Sequence, residues 1–315
     1  AATVPTGSAV LRAESVADQF RLVGPVKVAP DQDDPVQVSV SALMCLDRCP
    51  RWYVYEYVLG LSRVQGSLVA PSVGMEMRLN AAQRGSVVHS VCQWARNENE
   101  AMTLLKKQLG AYGLRGRAFV ESEEELWLLI RNYLDSPEAS AEGRREQAFL
   151  LDLGAAVVSG IADYIAVDEF MVGTVVDLKT NRLDDEGIDL AARDYRTQMD
   201  AYALAVHRGL GAKRVTAVLN FLHPNVRVAL EYGQEEFAEA EERLIRLAAR
   251  TADCRLESTK PEWSRHCRVC YYSRMCWPER DDVDAVQPLD AWHEVEPEVG
   301  DDDGFLEAEL GGEAE

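Results

Sequence analysis

Apolar residues change their spacing several times along the chain, and each change marks a change of element. Residues 81–95 and 123–133 place them every three to four positions, as amphipathic helices do, and the whole of 80–133 reads as a helical layer. Ser122 followed by Glu125 supplies a capping-box pair where the second of these helices would begin. Over 147–153, 157–167 and 171–180 the period falls to two, with Gly154 and Asp168-Glu169 between the runs, which predicts three successive strands joined as hairpins. Residues 190–210 are again helical. Two more strands, 215–222 and 226–232, flank His223-Pro224-Asn225, and 235–256 is a charged amphipathic helix. Ahead of all these, a serine within 36–43 can cap a helix that stops at Cys49-Pro50, after which Trp52, Tyr53, Tyr55 and Tyr57 lie on a second helix. The order is therefore α, βββ, α, ββ, α, that of an α/β fold.

At 315 residues and 47% hydrophobic the chain can bury an ordinary core. The pattern divides it into an irregular lead-in (1–35), a helical region (36–145), a strand-rich core (146–260), a cysteine-bearing segment (261–280) and a tail (281–315). The formal charge of −20 is unevenly spread. From 279 to 315 there are 15 acidic residues against the single Arg280, so the tail is expected to be solvated and disordered while the remainder carries only −6. That distribution leaves room for a polyanionic partner. No apolar run approaches the ~20 residues of a spanning helix, and the first residues lack the order of a secretion signal, so the expectation is a soluble, cytoplasmic protein. Because it opens at Ala1 rather than Met, it is expected to be a processed or truncated piece of something longer.

The chemistry gathers in Gly160-Ile161-Ala162-Asp163 and Val175-Val176-Asp177-Leu178-Lys179. Residues two apart in a strand share a face, so Asp177 and Lys179 project together while Val176 and Leu178 turn to the core. Hairpin pairing brings Asp163 to the same spot. Two converging carboxylates repel unless a cation neutralises them, and Mg²⁺ or Mn²⁺ is the usual partner of such oxygens. An amine beside that cation can orient or deprotonate an attacking water and stabilise charge growing on phosphorus. An isolated D-x-K is, on its own, most often a surface ion pair.

The companions of that motif carry more weight. Ser39-Val40-Ser41-Ala42-Leu43 leading to Cys49-Pro50, Arg84-Gly85-Ser86-Val87-Val88-His89, the two carboxylate motifs and Gln198-Met199-Asp200-Ala201-Tyr202 together resemble, in order, the motifs of RecB-like nucleases of the PD-(D/E)XK superfamily. These occur in bacterial helicase-nuclease complexes such as AddAB and in related single-strand exonucleases. The resemblance implies a restriction-endonuclease-like core, a mixed central sheet flanked by helices, under a helical cap. It implies His89, Asp163, Asp177 and the Leu178 carbonyl as metal ligands and Lys179 as the catalytic lysine. Gln198 and Tyr202, at i and i+4 on one helix face, would contact the DNA strand or brace the site. Glu146, just before the first core strand, is either a third carboxylate or a solvated strand-end residue.

Cys267, Cys270 and Cys276 fall within ten residues, with the C-x-x-C spacing that lets a turn chelate one centre. With Cys49 as fourth ligand, the arrangement resembles the [4Fe-4S] staple of AddB-type nucleases, and structural Zn²⁺ suits four thiolates equally. Cys45, Cys92 and Cys254 read as small buried hydrophobes. No P-loop motif occurs, so a helicase motor would have to be a partner or lie in upstream sequence. The expected function is Mg²⁺ or Mn²⁺ dependent hydrolysis of DNA, at single-stranded or free ends, in repair or recombination. Its rivals are a non-cleaving DNA-end-binding subunit with the same cluster and a zinc-stapled protein-interaction module.

Overall fold

The computed structural model describes residues 35–61 and 78–280, so the acidic tail and nearly all of the lead-in lie outside the described residues. Strand β1 (Val36–Ser39) leads into helix α1 (Val40–Arg48), whose N-terminus Ser39 caps by accepting a hydrogen bond from the Ala42 amide at 3.1 Å. Cys49 ends α1 and begins the short α2 (Pro50–Tyr53), where Pro50 sits in the first turn and so forfeits no helical hydrogen bond. A π turn follows at Val54–Val58. Helices α3 (Ala81–Trp94), α4 (Glu98–Ala111), α5 (Gly116–Leu134) and the short α6 (Pro137–Ser140) form one layer. Strands β2 (Arg144–Asp152), β3 (Ala156–Val167) and β4 (Val172–Lys179) precede α7 (Asp185–Asp194) and α8 (Arg196–Leu210). Strands β5 (Arg214–Phe221) and β6 (Val226–Tyr232), helix α9 (Gln234–Thr251), a 3₁₀ turn (Arg265–Val269) and α10 (Ser273–Cys276) complete the described chain.

The six strands of the described residues make one mixed sheet in the order β1-β3-β4-β5-β6, with β2 on the other edge of β3. β2, β3 and β4 pair antiparallel, as the period-two runs predict, whereas β1 lies parallel to β3 and β5 parallel to β4. Two apolar cores sandwich the sheet. One packs α1, α8 and α9 against it through residues such as Leu43, Met199 and Leu244, and the other packs α3, α4 and α5 through Val88, Leu105 and Ile130. Among the described residues no helix is long and apolar enough to cross a membrane.

Three departures from the sequence pattern have physical causes. Val36–Ser39 forms a strand rather than merely an approach to α1, because residues 156–159 of β3 accept it as a parallel partner. The helix expected to start at 123 begins at Gly116, since Ala118 is already buried and extends the apolar stripe a turn earlier. Ser122 therefore lies mid-helix and is no cap. The helix expected over 190–210 divides at Tyr195, whose buried ring is held under the Lys179 ammonium, 3.8 Å away.

α8 is anchored on its far side by Asp200, which is 1% exposed. Its carboxylate accepts hydrogen bonds from both Nε and Nη2 of Arg243 (2.8 and 3.1 Å), from Nε of Arg196 (2.9 Å) and from the Tyr232 hydroxyl (2.8 Å). Replacing it with alanine leaves the Tyr232 hydroxyl buried without an acceptor, although both guanidiniums can still reach water. Asp200→Ala is expected to cost about 2–3 kcal/mol in chemical denaturation. An unchanged midpoint would contradict this account of how α8 is held.

Candidate active site

The paired edge of β3 is interrupted where the site forms. β1 takes residues 156–159 and β4 takes residues 164–167 of the same edge, while β2 runs along the other. Among the described residues, 160–163 between them have no strand partner on the open side. The Ile161 carbonyl there is satisfied instead by the Tyr202 hydroxyl. Continuing the β3–β4 register would set Asp163 opposite Asp177, but the ladder stops at Tyr164 and Val176, and the strands part. Asp163 Oδ2 then accepts the Leu178 amide at 2.6 Å, so a side chain stands where the next backbone acceptor would have been.

The same point distorts β2. Glu146 faces Asp163 at the one register position the β2–β3 ladder skips, and its φ of +51° is left-handed. For a non-glycine residue that conformation costs about 1–3 kcal/mol, and such strain concentrates at functional sites. Both strands turn over here. Val158 and Ala162 belong to the α1-side core and Tyr164 to the α3-side core, while Phe149 faces the former and the Arg145 guanidinium donates to carbonyls of α3. Both carboxylates meet His89 on α3 at this point. Nδ1 of His89 lies 3.0 Å from Asp163 Oδ1 and 3.7 Å from Glu146 Oε1.

Asp177 and Lys179 share a face of β4, as strand alternation requires, and both are buried, while Val176 and Leu178 fill the opposite core. The Lys179 ammonium lies 2.5 Å from Asp177 Oδ2, donates to Gln198 Oε1 at 3.0 Å and sits over the Tyr195 ring. Gln198 Nε2 donates to Asp177 Oδ1 (2.9 Å) and to the Tyr202 hydroxyl (2.8 Å). One amide thus links the carboxylate, the amine and the tyrosine through hydrogen bonds. Gln198→Ala is expected to lower the activity of the site about 10- to 100-fold, as loss of a supporting hydrogen bond does. A rate unchanged in Gln198→Ala would remove it from the machinery.

Protonation follows from these contacts. Burial works against an imidazolium at His89, but Asp163, and then Glu146, outweigh it and raise its pKa to about 10. Burial also resists ionisation of Asp163, yet His89 and the Leu178 amide keep its carboxyl below the ordinary value. Burial lifts Asp177 to about 6 against the pull of Lys179, with Asp163 adding to the rise. Lys179 stays an ammonium, because Asp177 overcomes the penalty of burial.

His89, Glu146 and Asp163 offer one imidazole nitrogen and two carboxylate oxygens, all within 4.8 Å of one another. This is a donor set suited to a divalent cation such as Mn²⁺ or Mg²⁺, and ligation through His89 Nδ1 would require its proton to leave. Glu146 is the member that sequence left open. The Leu178 amide donates to Asp163, and Asp177 is engaged by Lys179 and Gln198.

Some 200 residues apart in sequence, Cys49 and the cysteines of the 3₁₀ turn and α10 meet. Cys49, Cys267, Cys270 and Cys276 line one cavity. The Trp52 and Ser264 amides donate to the Cys49 and Cys267 sulfurs at 3.5 and 3.4 Å. Burial raises the thiols of Cys49, Cys270 and Cys276, and the neighbouring sulfurs raise them further. Four such sulfurs suit a thiolate-bound cation, which would restore their ionised form. Cys45, Cys92 and Cys254 are buried among apolar neighbours.

A family model described as the PD-(D/E)XK nuclease superfamily matches residues 37–277. Among solved structures, the chain is similar to a protein from Eubacterium rectale described as a candidate exonuclease. The identity is 15%, covering 89% of this chain and 94% of that one, with a TM-score of 0.46. It is also similar to the protein SSO0001, at 16% identity over 78% of this chain and 89% of that one, with a TM-score of 0.36. No curated protein matches it.

Proposed function

The chain belongs to the PD-(D/E)XK nuclease superfamily, and from that premise we propose that it is a deoxyribonuclease acting on single-stranded DNA ends with Mg²⁺ or Mn²⁺. The observation that carries the reading is the convergence of His89, Glu146 and Asp163 beside the Asp177–Lys179 pair at the parted strands. His89, Glu146 and Asp163 would hold the cation, with Asp177 held beside Lys179 and Gln198. When bound, it supplies positive charge that polarises the scissile phosphate and acidifies the attacking water. Lys179 keeps its ammonium between Asp177 and Gln198 and can turn a proton toward charge developing on phosphorus. Gln198 and Tyr202 fix that ammonium and the exposed backbone of β3, so the site needs little reorganisation when the strand arrives.

Substrate access favours an unpaired strand. Beside Gln198 and Tyr202 a cavity of about 530 Å³ is lined by Ser39, Ser41, Phe149 and Ile161, a size within the range of small-molecule pockets and suited to a single nucleotide rather than a duplex. A helicase partner that exposes such ends in repair or recombination is the setting this specificity suits.

Cys49, Cys267, Cys270 and Cys276 would hold a [4Fe-4S] cluster. Four thiolates on one zinc ion, 2.3 Å from it, would stand about 3.8 Å apart. Among the described residues, however, His89, Glu146 and Asp163 are the sole His, Cys, Asp or Glu trio within 4.8 Å. The wider spread of sulfurs supports the cluster over zinc.

Digestion of end-labelled single- and double-stranded DNA by anaerobically purified protein tests the reading. Shortening that requires Mg²⁺ or Mn²⁺, stops with chelator and runs faster on single strands is expected, and the product ladder gives polarity. If folded, cluster-loaded protein bound DNA ends and left them intact, the catalytic reading would give way to a DNA-end-binding subunit.

A further inference from the structure

A further cavity opens at the C-terminal ends of β4 and β5, on the α3 side of the sheet, lined by Arg84, Glu125, Thr180, Arg182 and His223 together with Leu128 and Leu129. Ligands of open α/β sheets gather at that end of parallel strands, and β4 and β5 are the parallel pair. The cavity adjoins the site already described. Thr180 follows Lys179 directly, and Arg84 precedes His89 on α3. The two elements touch where Gly85 lies, since a Cβ there would meet Thr180 Oγ1 at 3.6 Å. The Leu222 amide donates to the Lys179 carbonyl at 2.8 Å, which sets His223 alongside.

Its chemistry is that of an anion site held closed by a carboxylate. Arg182 Nη2 lies 2.9 Å and Arg84 Nη1 3.7 Å from the same oxygen, Oε1 of Glu125. Two guanidiniums therefore converge on a single acidic oxygen, with the Thr180 hydroxyl on the same wall. Among the described residues, His223 Nδ1 is buried with no hydrogen-bond partner. Guanidiniums bind phosphate as readily as carboxylate, with the same planar donors. We propose that this cavity takes a backbone phosphate of the DNA strand next to the scissile one, with Glu125 occupying its place until the strand displaces it. The inference rests on the DNA-cleaving reading and adds to it a positioning site for the strand.

Affinity for a fluorescent single-stranded oligonucleotide, measured by anisotropy with Ca²⁺ in place of the catalytic cation, tests it independently of cleavage. Arg182 is half exposed, so its loss should leave the fold intact. Arg182→Ala is expected to weaken binding about 5- to 10-fold and to reduce the slope of log affinity against log salt by about 0.7, the share of one single-strand phosphate. Glu125→Gln is expected to act in the opposite sense, tightening binding severalfold, because it removes the competing charge. A cluster that merely held α5 to the sheet would not gain affinity on that change. Oligonucleotides with one neutral methylphosphonate walked along the strand should show a position at which wild type loses affinity and Arg182→Ala does not. If wild type binds and cuts DNA while Arg182→Ala and Glu125→Gln bind as it does, or if both weaken, the phosphate site is overturned and the nuclease reading stands. A wild type that neither binds nor cuts DNA overturns both.

Discussion

Lys179→Ala is expected to slow DNA cleavage on the order of 10³-fold, the loss that follows removal of a preorganised charge from a reacting phosphate. The protein should nevertheless fold. Removing the ammonium leaves Asp177 buried without its ion pair, but burial has already lifted that carboxyl to about 6, so it can take up a proton near neutrality, and Gln198 Nε2 still donates to it. The chemical defect is thus separable from a folding defect. Asp163→Asn supplies the contrast. The amide oxygen can still accept from the Leu178 amide, which preserves the parted strands, but the charge that holds His89, and would hold a cation, is gone.

A Mn²⁺ titration distinguishes the two variants. Asp163→Asn should need far higher Mn²⁺ for any residual cleavage, whereas Lys179→Ala should saturate near the wild-type concentration and remain slow. Retention of wild-type rates by Lys179→Ala, with normal circular dichroism, would remove Lys179 from the chemistry and with it the proposed mechanism.

The residues of this pair were legible because their placement is local. Strand alternation alone sets Asp177 and Lys179 on one face, and a hairpin is enough to bring Asp163 near them. Glu146 was not legible. It sits in a left-handed conformation inside a strand and meets a histidine of a distant helix, neither of which leaves a periodic trace. β1 escaped for a related reason, since four residues carry too little pattern and the partner that makes them a strand lies more than 100 positions away. At Tyr195 the helix pattern ran unbroken through a residue whose ring is used by Lys179, so a tertiary contact overrode local propensity. The cysteines illustrate the opposite case: spacing identified the trio, and the resemblance to a known family supplied Cys49, which the fold places at the same cavity.

Cys49→Ser should therefore act on the fold as a whole. Cys49 joins α1 to α2 at the start of the first core, and the other three cysteines close the described chain, so a group held by all four cross-links a loop on the order of 200 residues. By the measure of a covalent cross-link over such a loop, its loss costs ~5 kcal/mol and lowers Tm by about 10 °C. The remaining contacts between these ends soften the loss without replacing it. Arg51 donates to the Leu256 and Thr259 carbonyls at 2.5 and 2.6 Å, the Tyr272 hydroxyl donates to the Leu61 carbonyl at 2.8 Å, and the Tyr55 and Tyr272 rings lie 5.3 Å apart. These hydrogen bonds and ring contacts are each worth about 1 kcal/mol, too few to restore a closed loop of that length. Anaerobically purified wild type should contain iron and acid-labile sulfide in the ratio of a [4Fe-4S] cluster, and Cys49→Ser should lose both along with the thermal stability. Zinc at one equivalent, lost in Cys49→Ser with the same fall in Tm, would replace the cluster by a single ion and keep the cross-link. If Cys49→Ser melted with wild type, the cavity would hold no cross-link, and the hydrogen bonds of Arg51 and Tyr272 would be what joins the two ends.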